Sequence, residues 1–308
     1  MINSIMAAIK KQMWTTIVAA ILSIIGFVML FVFASAKNFN DWKWSIDPEL
    51  ADQFGSLSGG VIGILFSLAG IFLLYETIIR QQRLFNVQQF ESKYFELIRY
   101  HRENVQEITY KVPDSKEEIV AGRSFFVQLN DEFIQLFRSI SDHTRDGFTE
   151  EERIELTAII LYYGVAKKTL HTLKYNLSRY DAGIIDDLIE HLRKEKTKYD
   201  RNIVFYGGHQ HRLDHYLRHQ SQAIKFIDRA NFLTKDQKYS YAKLVRAQLT
   251  QYELIYLFYN TLTIYGQSWR NYKLITKYQL IKNLPKELET KVQPKKYYPK
   301  VKFDWERV

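Results

Sequence analysis

The chain has no cysteine among its 308 residues, only 5 prolines and only 13 glycines. Without cysteine there is no disulfide framework and no thiolate-held zinc or iron–sulfur cluster. So few turn-forming residues disfavour a sandwich or barrel of many short strands and suit long helices. No alternating apolar–polar run persists, and no internal repeat is visible. There is also no Gly-rich phosphate loop, no nucleophile elbow and no pair of catalytic carboxylates, so the chain gives no positive sign of an enzyme or of a cofactor. The mean hydropathy is slightly negative, which excludes a transporter of many spans.

What is present begins with two apolar runs. From Met13 to Ala36 no residue is formally charged, and about 20 apolar residues suffice to cross a bilayer core. Twelve residues between Thr15 and Ser35 are Ile, Leu, Val or Phe. At roughly 0.3–0.6 kcal/mol each they favour insertion by about 4–7 kcal/mol. A cleaved signal peptide has a shorter apolar core, so a span is expected. The second run, Leu57–Tyr75, is also uncharged, and Gly55, Gly59, Gly63 and Ser67 recur at every fourth position beside it and within it. On a helix these small residues form one stripe, expected to pack tightly against the first span or against another subunit. Lys10 and Lys11 precede the first span and Arg80 and Arg83 follow the second. Positive residues stay cytoplasmic, so both chain ends are expected inside, with an external loop over 37–55 carrying Trp42 and Trp44 at headgroup level.

The expected fold is therefore all-α: a two-helix transmembrane hairpin over 1–79 (spans about 13–36 and 57–79), a cytoplasmic helical bundle over 80–285, and a basic extended tail over 286–308. Residues 80–308 hold 39 Lys and Arg against 29 Asp and Glu, an excess that suits anionic lipid headgroups or a nucleic-acid partner. Apolar residues at intervals of three or four from Leu84 to Val105 predict a helix running straight out of the second span. Helical patterns resume over about 118–140, 149–179, 183–199, 210–230, 235–265 and 268–282. Thr149 followed by Glu152 is a capping-box signature. Loops are expected over 112–116, 142–148 and 206–208.

Three constellations invite a chemical reading. His211, His215 and His219 stand four apart on one side of a helix whose other side carries Leu213, Leu217, Ile224 and Ile227. Two His at i and i+4 can ligate a metal, but with no carboxylate on their face a solvated or partner-binding polar face is the better account. Arg138–His143 and Arg212–His219 have the Arg, four to six residues, His spacing of some defence-associated ribonucleases, though chance supplies about as many such pairs at this Arg and His content. Arg246, Glu253 and Asn260 recur every seven residues and so line one stripe of a helix, as a buried and mutually satisfied network or as a partner site.

These same segments carry a resemblance. The chain resembles the phage abortive infection protein family over FGSLSGGVIG at 54–63, FESKYFELIRYHRENV at 90–105, HYLRHQSQAIKFID at 215–228, YAKLVRAQLTQYELIYLFYN at 241–260 and YKLITKYQLIKNLP at 272–285. The likeness is weak between about 110 and 205. It implies a membrane-anchored effector of bacterial anti-phage defence at the inner membrane. Its implied partners are membrane lipid, further copies of itself, and a nucleic acid or a nucleic-acid-bound protein such as a reverse transcriptase system. Tyr216, Arg218, Tyr241, Arg246, Gln248, Glu253 and Asn260 fall on family-pattern positions, as candidates for partner binding. At 220 the family pattern calls for a more hydrophobic residue than the Gln found here.

Overall fold

A computed structural model describes residues 2–35, 48–111, 119–144, 147–198 and 206–307. The chain divides into two compact units, residues 1–89 and 90–308. The boundary thus falls ten residues later than the end of the apolar pattern placed it.

The first unit consists of α1 (Ile2–Ala34), α2 (Pro48–Leu57), one π-helical turn (Ser58–Ile62) and the beginning of α3 (Gly63–Glu107). Two helices here are long and apolar enough to cross a membrane, and only 11% of each apolar window is buried. That low burial separates them from the core helices of a soluble domain. Both apolar runs therefore form the expected helices. Trp42 and Trp44 lie outside the described residues, while the loop expected up to Gly55 turns helical from Pro48 onward. Within this unit, close packing is made by residues other than the predicted stripe. A methyl group placed at Gly26 would stand 3.1 Å from the Phe66 ring, whereas nothing lies within 4 Å of one placed at Gly55 or Gly59. Gly63 meets only the Ser58 carbonyl oxygen of its own chain segment, and Ser67 donates to the Gly63 carbonyl at 2.8 Å. Among the described residues of this unit, Ala19, Ile62 and Ala69 are the buried apolar ones. The first helix meets the π-helical turn that carries Gly59 and also Phe66, which receives Gly26 and the edge of Phe27 (ring centroids 5.1 Å apart).

The second unit takes up α3 from Phe90. A short hairpin follows, β1 (Thr109–Lys111) against β2 (Ile119–Ala121), antiparallel with Tyr110 opposite Val120. The helices are α4 (Arg123–Thr144), α5 (Glu150–Tyr163), α6 (Leu170–Asn176), α7 (Ala182–Lys198), α8 (Gln210–Arg229), α9 (Lys235–Gln248), α10 (Gln251–Leu262), α11 (Gln267–Asn271), α12 (Leu274–Tyr278) and α13 (Pro294–Tyr297). Helices α5 and α10 are apolar nearly all round and therefore central. Ile154 to Leu161 are buried without interruption, as are Glu253 to Thr261. They pack on each other and on α4, with Phe133 of α4 stacked on Tyr259 of α10 at 4.0 Å. Phe90 of α3 stacks on Phe226 of α8 at 4.9 Å.

Three helices start with the same device. Thr149, Thr234 and Thr250 each accept from the backbone N–H three residues on, and Glu152, Gln237 and Glu253 reach back to the cap N–H. The third of these breaks the segment read as one helix over 235–265 into α9 and α10. The pattern over 149–179 is broken by Gly164, whose φ of 73° terminates α5. There the chain crosses itself: the Val165 N–H donates to the Tyr206 carbonyl at 3.0 Å and the His209 N–H to that of Tyr162 at 2.9 Å. The approach needs glycine on both strands. A methyl at Gly164 would stand 2.5 Å from the Gly207 carbonyl carbon, and Gly208, at φ 85°, faces the Tyr163 carbonyl as closely.

The tail is a correction. Residues 286–308 are packed into the unit, with Val292, Val301 and Phe303 fully buried. The Tyr298 hydroxyl donates to Thr261 Oγ1 at 2.7 Å, and Asp304 accepts from Lys282 and Asn283. In the sequence, Pro294, Pro299 and the clustered lysines point to an extended segment. Its apolar residues, spaced between short turns, decide its position.

Candidate functional site: a two-lobed cleft along one helix

The polar side of α8 carries His211, Asp214, His215, Arg218, Ser221, Gln222 and Lys225, at steps of three and four opposite the buried Leu213, Ala223, Ile224 and Ile227. This face lines two adjoining cavities that share Tyr162 and Asp214. The more enclosed lobe, of about 220 Å³, lies between α5, α8, α10 and α11. Its wall includes Tyr162, Arg218, Lys225, Tyr256, Asn260 and Trp269. The more open lobe, about 470 Å³, is bordered by Lys168, His211, His215 and the glycine crossing at Gly207–Gly208.

Several local features hold this wall in place. Gly266 allows the turn after α10 to lie on the Asn260 carbonyl and Thr261, where any side chain would collide. Arg270 donates to the carbonyls of Thr261 and Thr263, closing the C-terminal end of α10. Asp214 pairs with Arg218 and accepts from the Tyr162 hydroxyl at 3.4 Å. Burial, then the Asp214 charge, pushes the Tyr162 hydroxyl well above its ordinary pKa. Burial does the same at Tyr256. Both hydroxyls remain donors. His211 is pushed down by burial first, then by Arg212, His209 and Lys168.

Tyr256 and Asn260 sit one turn apart on α10, and both are more than nine-tenths buried. Each lines the enclosed lobe, and neither side chain makes a polar contact with the described residues. Lys225 has no acidic partner there either, and Asp214 is the only acid lining either lobe. The cleft is therefore cationic at its rim and carries unpaired donors and acceptors within.

The other singled-out residues sort by environment. Tyr216 is buried and donates to Glu253 Oε1 at 3.0 Å, and His101 Nε2 lies 3.7 Å from the same oxygen. Tyr241 donates to Glu91 at 2.6 Å. Arg246 donates to the Gln279 carbonyl at 2.8 Å, and the Gln248 carbonyl accepts from Arg123. Arg246, Glu253 and Asn260 are all buried, but they lie on two helices and do not satisfy one another: Arg246 and Glu253 bond to other neighbours, and the Asn260 side chain bonds to none of the described residues. Of the family-pattern positions only Arg218 and Asn260 reach the cleft.

The three histidines part company. His211 and His215 border the open lobe, while His219 turns toward α3, its ring 6.5 Å from that of His101, with both nitrogens buried and unpaired. Among the described residues no three His, Asp or Glu side chains form a metal-holding group. The Arg–His spacings do not assemble a visible pair. His143 bonds to Asp187 at 2.8 Å and stacks on His191, whereas Arg138 is exposed. Arg212 Nε donates to the Thr109 carbonyl at 3.0 Å. Tyr162, Lys225 and Tyr256 were not anticipated. The α8 periodicity could have given Lys225, but nothing local marks Tyr162 or Tyr256, which sit among many apolar and aromatic neighbours.

Residues 208–289 match the family model described as "Putative phage abortive infection protein". The matched stretch runs from the start of α8 past α12, and it contains every residue lining the enclosed lobe except Ala158 and Tyr162. It includes the resembling segments at 215–228, 241–260 and 272–285, while those at 54–63 and 90–105 lie outside it. No curated protein and no solved structure matches the chain.

Proposed function

With residues 208–289 matching an abortive-infection family, we propose that this protein is a membrane-anchored effector of bacterial anti-phage defence. Its hairpin spans the inner membrane, with both chain ends in the cytoplasm. The helical unit engages a partner, a nucleic acid or a nucleic-acid-bound protein such as a reverse transcriptase. Engagement and self-association then rearrange the hairpin so that the membrane leaks. The observation that carries the membrane part is exposure. Phe27, Phe31, Ile71 and Leu74 are each at least 60% exposed, and a continuous apolar surface of this kind calls for lipid or another helix to cover it. Among the described residues nothing lies within 4 Å of a methyl placed at Gly55 or Gly59, which leaves that part of the stripe available to a second copy.

A membrane-potential dye on infected cells expressing the protein tests this reading. Depolarisation that accompanies protection is expected, and intact protection with unchanged polarisation sinks the leakage mechanism. The proposal is non-enzymatic, so changing His143 and His219 together to Ala leaves protection intact. Joint loss of protection and of RNA cleavage would replace it with a membrane-tethered ribonuclease. Protection with neither leakage nor cleavage, and with a partner recovered on purification, would replace it with a scaffold.

A further inference from the structure

The enclosed lobe is smaller than the roughly 300–1,000 Å³ of drug-sized sites. It has room for about one ring system, not for a folded peptide or a lipid tail. Its deepest polar groups, on Tyr256 and Asn260, lack partners among the described residues. These polar atoms stay accessible within the lobe; an apolar occupant would cover them unpaired, at a cost of about 1–3 kcal/mol per group, and a polar one would pair them. A side-chain amide offers a donor and an acceptor side by side, which is the pattern along the edge of a nucleobase. Tyr162, Tyr265 and Trp269 add aromatic surface to the same wall. Aromatic side chains are where planar bases stack.

The charge at the rim is of the opposite sign to a phosphate. Lys225 is unpaired, and Arg218, with 63% of its side chain exposed, has guanidinium donors beyond those turned to Asp214. The neighbouring lobe adds Lys168, His211 and His215. A single carboxylate among these groups makes a divalent cation an unsuitable occupant.

We propose that the cleft along α8 binds a nucleotide unit. Its base enters the enclosed lobe against Tyr256 and Asn260, and its phosphate meets Lys225 and Arg218 at the rim. The unit comes either from a free mononucleotide or from a single-stranded nucleic acid. The site is argued from its own geometry and stands apart from the membrane mechanism.

The test uses the full chain in detergent micelles, with binding measured by calorimetry and by thermal shift. The probes are AMP, GMP, CMP and UMP, the corresponding nucleosides, inorganic phosphate and single-stranded tetranucleotides. At least one nucleotide is expected to bind with Kd at or below about 1 mM, a free energy near −4 kcal/mol, and more tightly than either its nucleoside or phosphate alone. Lys225→Glu and Ser221→Trp, the first reversing the rim charge and the second filling the lobe, are each expected to weaken binding at least tenfold. Both side chains are only half-buried, and the melting temperature of each unliganded variant reports whether it folds. Tighter binding of the tetranucleotide assigns the unit to nucleic acid, and tighter binding of the mononucleotide assigns it to a free ligand. No binding by any nucleotide probe overturns the proposal, as does binding that both folded variants retain. Intact defence without nucleotide binding would remove this site while leaving the membrane reading in place.

Discussion

Gln220 is 98% buried, and neither its amide nitrogen nor its amide oxygen has a partner. This is the position where the family resemblance calls for a hydrophobic residue, so the departure visible in the sequence coincides with an unsatisfied group. Replacing an unpaired buried amide by an apolar side chain of similar size removes about 1–3 kcal/mol of desolvation cost. Gln220→Leu is therefore expected to raise stability by that amount in denaturant unfolding. Unchanged or lower stability would mean that the amide finds a partner in solution. His101 gives a pH dependence. Burial first, then the charges of His219 and Arg123, lowers its pKa from 6.5 to about 4. Glu253 and Tyr216 also face it. The folded state holds the ring neutral, so its contribution is complete above pH 6.5. As pH falls toward 4 the unfolded chain takes up a proton that the folded chain refuses, and about 1.4 kcal/mol is lost per pH unit. The stability difference between pH 7 and pH 5 should be smaller in His101→Phe than in the native chain. Equal differences in the two proteins would show that the folded ring takes up a proton as readily as the unfolded one.

Helices as elements were largely legible, because apolar periodicity and Thr-x-x-Glu caps are local signals. Where they end was less so. Gly164 and Thr250 interrupt periodic runs that continue on either side of them, and periodicity counts residues without seeing a change of axis. The cap at Thr250 bears the same signature as the one recognised at Thr149, but apolar residues on both sides masked it. The small-residue stripe illustrates a different limit: sequence spacing gives a face but not what it meets. Gly26, alone in the first span, makes the close approach to Phe66, and Gly59 does not. Gly26→Leu is expected to disrupt the hairpin, read as lost proximity between cysteines introduced at Thr16 and Glu76, whose side chains meet at 2.5 Å. Gly59→Leu should leave that proximity intact within one chain. Equal disruption by both would place the stripe inside the hairpin after all.

At the scale of the molecule, the two units differ in what covers their apolar surface. The second closes on itself, and it needs the last part of the chain to do so, since Leu288, Val292, Val301 and Phe303 complete its core. Burying one such side chain is worth about 1.5–3 kcal/mol, so four approach the whole stability of a typical domain. A chain shortened to residue 285 is expected to be degraded or to aggregate on expression, and limited proteolysis should find no protected core in it. A stable, protease-resistant product would show that the tail is dispensable. The cleft lay beyond the sequence because it assembles α5, α8, α10 and α11 from positions 158 to 269, and only the α8 side has a local signature. The crossing at Gly164 and Gly208 has one more consequence, an evolutionary one. The segment carrying α6 and α7 leaves the fold and re-enters it at a single point, pinned there by backbone hydrogen bonds. It is topologically an insert. A substitute could be grafted in so long as both glycines and the Lys168 side of the cleft remain and the replacement covers the α5 and α4 surfaces on which α6 and α7 rest.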